Sequence, residues 1–260
     1  MLTKDRQRAY VYFSIAGVII AAILGGNAYV KSRPKPDPED GCLKTVSAKT
    51  VILLDHSEDI PEQTKGEIVS RAIQFVGTKT KVGDRVSVFT VSDLSKRNLR
   101  PLFSYCKPKS QANALIEHRR KVEQDFKTKF EIPLHEALGT KITGAKESPI
   151  AQAIIDLSLS DYMRSSEPSS LLIFSDMIEH TKAFSIYKCN DATAGIEEFR
   201  KSRSGAVQRP TFNDLAIYIH FVPRDNIKPA AVKCRDGFWE WFFGDNSGAA
   251  AETKTDYLPG

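Results

Sequence analysis

Apolar positions along this chain recur with two different periods, and the alternation between them lays out an α/β protein. Short runs that are solidly or alternately apolar read as strands: residues 50–54 (TVILL), 85–91 (RVSVFTV), 170–174 (SLLIF) and 215–222 (LAIYIHFV). Between them apolar residues return every three or four positions, as helices require. Ile68, Val69, Ala72, Ile73 and Val76 do so within 60–78, Ile150, Ala153, Ile154 and Leu157 within 148–163, and a further helix falls at 192–201. Strands without a polar face are buried on both sides, so the pattern predicts a doubly wound, mostly parallel sheet with helices on both faces. Residues 98–105 add a short strand at the sheet margin, where Pro101 costs no ladder hydrogen bond, and 111–130 add a polar surface helix. The aromatic cluster Phe238, Trp239, Trp241, Phe242 and Phe243 reads as a closing helix packed on the sheet rather than an exposed docking patch, because rings of that size bury too much area to stand in water.

The strands also bring polar residues towards one place. The first ends in Asp55-His56-Ser57-Glu58-Asp59, the strand 170–174 ends in Ser175-Asp176, and Ser148-Pro149 opens the helix before it. C-terminal strand ends of a parallel sheet lie along one edge, which is where such sheets bind ligands. Short oxygen-bearing side chains there suit a hard divalent cation. Asp55-x-Ser57-x-Asp59, Ser148 and Asp176 together resemble the von Willebrand factor type A (vWA) domain, whose metal-ion-dependent adhesion site uses Asp-x-Ser-x-Ser, a later Thr and a later Asp. The resemblance spans residues 44–245 and implies that Asp55, Ser57, Asp59, Ser148 and Asp176 hold Mg²⁺ or Ca²⁺, one coordination position being left for a partner's carboxylate. Three departures stand out: Asp59 replaces the second serine, Ser148 replaces the threonine, and Met177 stands where glycine often follows the last Asp. A third carboxylate would make the site over-negative, tilting it towards Ca²⁺ and weakening its pull on an acidic ligand. An ordinary structural reading stands beside this one. Asp59-Ile60-Pro61-Glu62 matches a helix N-cap with a capping-box acid, and Ser148 is equally an N-cap candidate.

Residues 9–30 change the picture most. They carry no charge and, at about 1.5 Å per residue, can cross a hydrocarbon core about 30 Å thick. Gly26-Asn27-Ala28 offers a rival reading as a signal-peptide cleavage site, but the length favours an uncleaved anchor. The expected organisation is a basic N-terminus (1–8), a transmembrane helix (9–30), an extended, solvated Pro-rich and charged linker (31–43), a vWA-like domain (44–245) and a disordered tail (246–260). The net charge of +5 is confined to the N-terminal part: six basic residues and one acid within 1–35 leave 31 of each sign beyond it. The soluble part therefore has no overall basic balance for nucleic acid to follow, and no nucleic-acid partner is expected. Basic residues are equal in number on the two sides of the helix, so they do not decide orientation. The four cysteines, Cys42, Cys106, Cys189 and Cys234, do. All follow the apolar segment, none forms a CxxC pair, and one or two disulfides among them would place the domain on the periplasmic side of a bacterial-type inner membrane. Buried free thiols are the alternative.

Two enzyme classes lack their sequence signatures. A phosphatase of the haloacid-dehalogenase type needs Asp-x-Asp after the first strand, and position 57 is serine; the Gly-x-Ser-x-Gly elbow of α/β-hydrolases is missing as well. The expectation is a non-enzymatic, single-pass, membrane-anchored protein–protein interaction module of an envelope assembly, without catalytic residues. The alternatives are a metal-free scaffold and a metal-dependent hydrolase using Asp55 and Ser57.

Overall fold

Six strands form one sheet: β1 (Lys49–Leu54), β2 (Arg85–Thr90), β3 (Phe103–Cys106), β4 (Ser169–Ser175), β5 (Leu215–Phe221) and β6 (Glu252–Tyr257), in the spatial order β3-β2-β1-β4-β5-β6. Every neighbouring pair is parallel except β2 with β3. The computed structural model of the chain describes residues 2–32, 34–43, 48–55, 60–95, 99–113, 117–140, 146–164, 167–212, 214–224, 227–244 and 252–259. From β1 the chain winds outwards through β2 to β3, then returns to the centre and winds the other way through β4, β5 and β6. The reversal falls between β1 and β4, and a doubly wound sheet opens a crevice at that point.

Successive side chains of β1 go to opposite faces. Val51 and Leu53 join the core beneath α6 (Ile150–Leu159), α7 (Ala192–Ser202) and α8 (Pro229–Phe243), whereas Ile52 and Leu54 join the core beneath α2 (Glu62–Lys79) and α5 (Ile132–Leu138). Both faces are thus covered, which is why this strand has no polar side. The aromatic cluster is core, as expected: Phe238 and Phe242 are fully buried in α8, and Phe199 of α7 meets Phe238 edge to face at 4.9 Å. A short helix, α3 (Val91–Ser95), follows β2.

The polar helix expected at 111–130 is shorter at its start and continues past its end. It begins as α4 (Arg119–Phe126) and passes through a π-helical turn at Lys127–Glu131 into α5. Pro133 at the start of α5 cannot donate to the preceding turn, and a widened turn ahead of it absorbs the loss. Ser148 is not the N-cap of α6, and the other candidate, Asp59, lies outside the described residues. Pro61 (φ −54°, ψ 146°) and Pro149 (φ −84°, ψ 63°) occupy the positions before α2 and α6, with no side-chain cap on either helix from those positions.

Both ends of the domain lie beyond their expected boundaries. α1 (Leu2–Ser32) is a single helix whose segment Arg8–Tyr29 is long and apolar enough to cross a membrane, and none of that segment is buried against the rest of the chain. The linker after it is docked rather than solvated. Cys42 forms a disulfide with Cys106 at the end of β3, Asp40 accepts from Arg85 Nη2 at 2.5 Å, and Gly41 (φ 69°) lies against the Tyr105 ring, where a side chain would collide. A second disulfide joins Cys189 to Cys234, so both bridges form in place of free thiols. The tail, expected to be disordered, supplies the edge strand β6. Its side chains are exposed, but its backbone pairs with β5 from Ala216 to Phe221, Arg71 pairs with Asp256, and Leu258 is buried. An edge strand needs no apolar face, so a hydrophobic pattern could not announce it.

Candidate functional site

The polar ends of β1 and β4 meet at the reversal point. Asp55 follows β1 and extends its pairing, its backbone N–H donating to Phe174 O at 2.9 Å. Its carboxylate is buried, and Oδ2 accepts two hydroxyls: Ser175 Oγ at 2.7 Å and Ser148 Oγ at 3.0 Å. Ser148 reaches this position because its backbone exchanges two hydrogen bonds with His180, at 2.7 and 3.0 Å, which ties the loop ahead of α6 to the segment after β4. Its hydroxyl is thus spent across the sheet edge instead of on its own helix.

Asp176 follows β4 and is also buried. Oδ1 accepts from Ile178 N at 2.9 Å, Oδ2 accepts from Arg224 Nε at 2.7 Å, and the backbone carbonyl accepts from Arg235 Nη1 at 3.4 Å. Burial and the nearby Asp55 carboxylate together raise its pKa to about 6, outweighing the Arg224 ion pair. Ser175 Oγ accepts from Met177 N at 2.8 Å while donating to Asp55. Met177 has φ 59°, the left-handed conformation that glycine adopts without strain. The departure from glycine at this position therefore preserves the backbone geometry and costs strain. Its carbonyl, in turn, accepts from Trp239 Nε1 at 2.6 Å, fixing the turn to α8.

Of the five expected site residues, Asp55, Ser148 and Asp176 converge here; Ser57 and Asp59 lie outside the described residues. Three side chains not anticipated from the sequence complete the cluster. Arg224 follows β5 and faces Asp176. Arg235 of α8 is buried, lies 4.4 Å from the Phe221 ring centroid and donates to Asp236 Oδ1 at 2.9 Å. Glu179, also buried, accepts from Ala151 N at 2.8 Å and so caps α6 from a different segment. Burial pushes its pKa up to about 8 despite that hydrogen bond.

The donor set can be tested against the divalent cation that the resemblance implies. Asp55 Oδ2 and Ser148 Oγ are bonded to each other, and Asp176 Oδ2 is held by a guanidinium. Among the described residues no three His, Cys, Asp or Glu side chains come together as a metal-binding group. Hard cations need several oxygens directed at one centre. The described members, Asp55, Ser148 and Asp176, bond within the chain, and the other two expected ligands, Ser57 and Asp59, lie outside the described residues.

No protein-family model matches the chain, and no curated protein matches it either. Among solved structures it is similar to the conserved hypothetical protein BatB from Bacteroides thetaiotaomicron, with 8% identity, a TM-score of 0.35, and coverage of 82% of this chain and 92% of that one. It is also similar to an aerotolerance-related membrane protein from Bacteroides fragilis carrying multiple mutations to serine, with 11% identity, a TM-score of 0.32, and coverage of 75% and 88%. Likeness at this level carries no functional argument.

Proposed function

We propose that this chain is a membrane-anchored, vWA-like protein–protein interaction module, without catalytic activity, that presents the polar sheet edge at Asp55, Ser148 and Asp176 to a partner in an envelope assembly. The observation that carries the reading is the position of the tether relative to that edge. Cys42 is bonded to the last residue of antiparallel β3, and Asp40 to the first residue of β2, so the chain from α1 enters at the N-terminal ends of the parallel strands. Asp55 and Asp176 lie at the opposite ends. With about 3.3 Å per residue, the six residues of β1 put about 20 Å between the two. If α1 spans the bilayer, the candidate edge faces away from it, open to a soluble or extrinsic partner.

Two further features agree with this role. The hydroxyls of Ser148 and Ser175 are directed at a carboxylate acceptor instead of being poised as nucleophiles. Two disulfides favour an oxidising compartment, which supports a periplasmic domain on an inner-membrane anchor. The test is position-dependent photo-crosslinking of the full chain in its native membrane. A crosslinker at exposed Lys182, beside the Ser148–His180 bridge, is expected to capture a protein partner, and one at exposed Glu167, near the tether end, is not. Capture from Glu167 alone would refute the assignment of the edge.

A further inference from the structure

We infer that the turn after α7 is a second membrane contact, binding the phosphates of anionic lipid headgroups in the bilayer that α1 enters, an assignment that rests on the tether geometry of the proposed function. α7 leads from the end of β4 to the start of β5, and these strands are parallel, so its last turn lies at the N-terminal strand ends where the chain from α1 arrives. Arg209 fixes the segment there. Its guanidinium donates to Gly244 O at 3.0 Å, just past the C-terminus of α8, and lies 5.1 Å from the Trp241 ring centroid. Residues 199–213 hold Arg200, Lys201, Arg203 and Arg209 and no acid.

The helix end does not consume these cations. Backbone donors already meet its last carbonyls: Arg203 N donates to Phe199 O and Arg200 O, and Ser204 N to Lys201 O. Arg200 and Lys201 are exposed, and Arg200 Nε donates to the neutral Gln208 Oε1 at 3.1 Å. With Ser204, Gly205, Gln208 and Glu197 they line an open hollow of about 560 Å³, in which two cations, a hydroxyl and an amide stand against one carboxylate. Val207, next along the chain, is an apolar residue 48% exposed. Charge-assisted donors bordered by an exposed aliphatic side chain suit a phosphate at the edge of a hydrocarbon layer. The tether is short enough to hold them there. Asp37 is docked, its N–H donating to Cys42 O at 2.8 Å, and the five steps from Ser32 at the end of α1 to Asp37 span at most about 18 Å. From β2, where Asp40 is held, three strand spacings of about 4.8 Å lead to β5 along the same end of the sheet.

The experiment uses the full chain in lipid nanodiscs, with a genetically encoded fluorophore at position 207 or, on the opposite edge, at position 182, and a lipid spin-labelled on its headgroup as quencher. Adding phosphatidylglycerol to phosphatidylcholine discs is expected to raise quenching at 207 roughly twofold and to leave 182 unchanged. Raising salt from about 0.1 M to about 1 M shortens the screening length from about 10 Å to about 3 Å and should return quenching at 207 to the phosphatidylcholine level. Arg200→Glu combined with Lys201→Glu should do the same at low salt. Where charge reversal prevents folding, Arg200→Gln with Lys201→Gln takes its place and should remove roughly half of the increase. Quenching at 207 that ignores phosphatidylglycerol or survives these substitutions would overturn the contact, and is the result expected of a cluster that serves a protein instead. If 182 stays unquenched in that case, the outward-facing sheet edge of the proposed function still stands; quenching at 182 in place of 207 would overturn both.

Discussion

Glu179 makes the stability of this domain depend on pH in an unusual direction, and Glu179→Gln should remove most of that dependence. The carboxyl is buried between the turn after β4 and the first turn of α6, where it accepts from Ala151 N. Its pKa rises from 4.5 to about 8 on folding, burial being the largest cause. Between those values the unfolded chain has released the proton and the folded chain keeps it. The folded state then binds more protons, so stability is full below about pH 4.5 and falls as pH rises, levelling off only above about pH 8. The slope is at most about 1.4 kcal/mol per pH unit, and over the whole interval the loss approaches about 3–5 kcal/mol. That is a large share of the ~5–15 kcal/mol that holds a typical domain together. Asp176, raised to about 6, adds a smaller loss of the same sign between its usual value and pH 6.

Glutamine at 179 keeps an acceptor for Ala151 N and cannot ionise. The variant is expected to match wild type at pH 5 within about 1 kcal/mol and to exceed it by about 3 kcal/mol or more at pH 8.5. Urea unfolding of the micelle-solubilised chain, followed by fluorescence of Trp239 and Trp241, would measure both. Trp239 reports directly on the turn, since its indole donates to the Met177 carbonyl. Equal pH slopes in wild type and variant would refute the reasoning and move the titrating group elsewhere.

Replacing Cys42 and Cys106 together by serine should cost about 2–4 kcal/mol, because the bridge closes a loop of 64 residues, and should expose the linker to limited proteolysis near residues 34–43. Thiol labelling of the unfolded, unreduced protein should find all four cysteines blocked. Gly195→Ala places a methyl 2.5 Å from Cys189 Sγ and 3.0 Å from Cys234 Sγ; thermal melts should show a loss of about 1–3 kcal/mol in the oxidised protein and a smaller one after reduction. Asp55→Ala leaves the buried hydroxyls of Ser148 and Ser175 without their acceptor and should cost about 2–4 kcal/mol by denaturant titration, whereas Asp55→Asn, which keeps an acceptor, should cost clearly less.

What the sequence reveals about this molecule is what local periodicity and strand order can carry. The solid apolar runs place β1, β4 and β5, and a parallel arrangement of those strands already forces Asp55 and Asp176 to a common edge. Arg224 lies three residues past the end of β5, a strand parallel to β4, which brings it to the same sheet edge as Asp176. The signal was positional, not a motif, since the pair is separated by 48 residues. Glu179 and Arg235 gave no comparable signal, because their burial depends on how α6 and α8 close over the turn after β4. The docked linker and the edge strand of the tail lack a signal for a related reason. A disulfide partner 64 residues away and an edge strand with only exposed side chains leave no hydrophobic pattern to read.

The misplaced helix starts point to the physics that builds the site. Ser148 reads from the sequence as an ordinary N-cap, but a proline disfavours helical geometry in the residue before it. Ile60 and Ser148 both precede prolines, and both α2 and α6 begin only after Pro61 and Pro149. Keeping Ser148 out of the helix frees its hydroxyl to turn 93 residues back along the chain to Asp55, while its backbone bridges to His180. The α6 donor that an N-cap at Ser148 would have satisfied is met instead by Glu179, just beyond the Ser175–Asp176 strand end. One proline thus exchanges a local cap for two long-range contacts, and those contacts fasten the end of β1, the start of α6 and the turn after β4 into one polar edge.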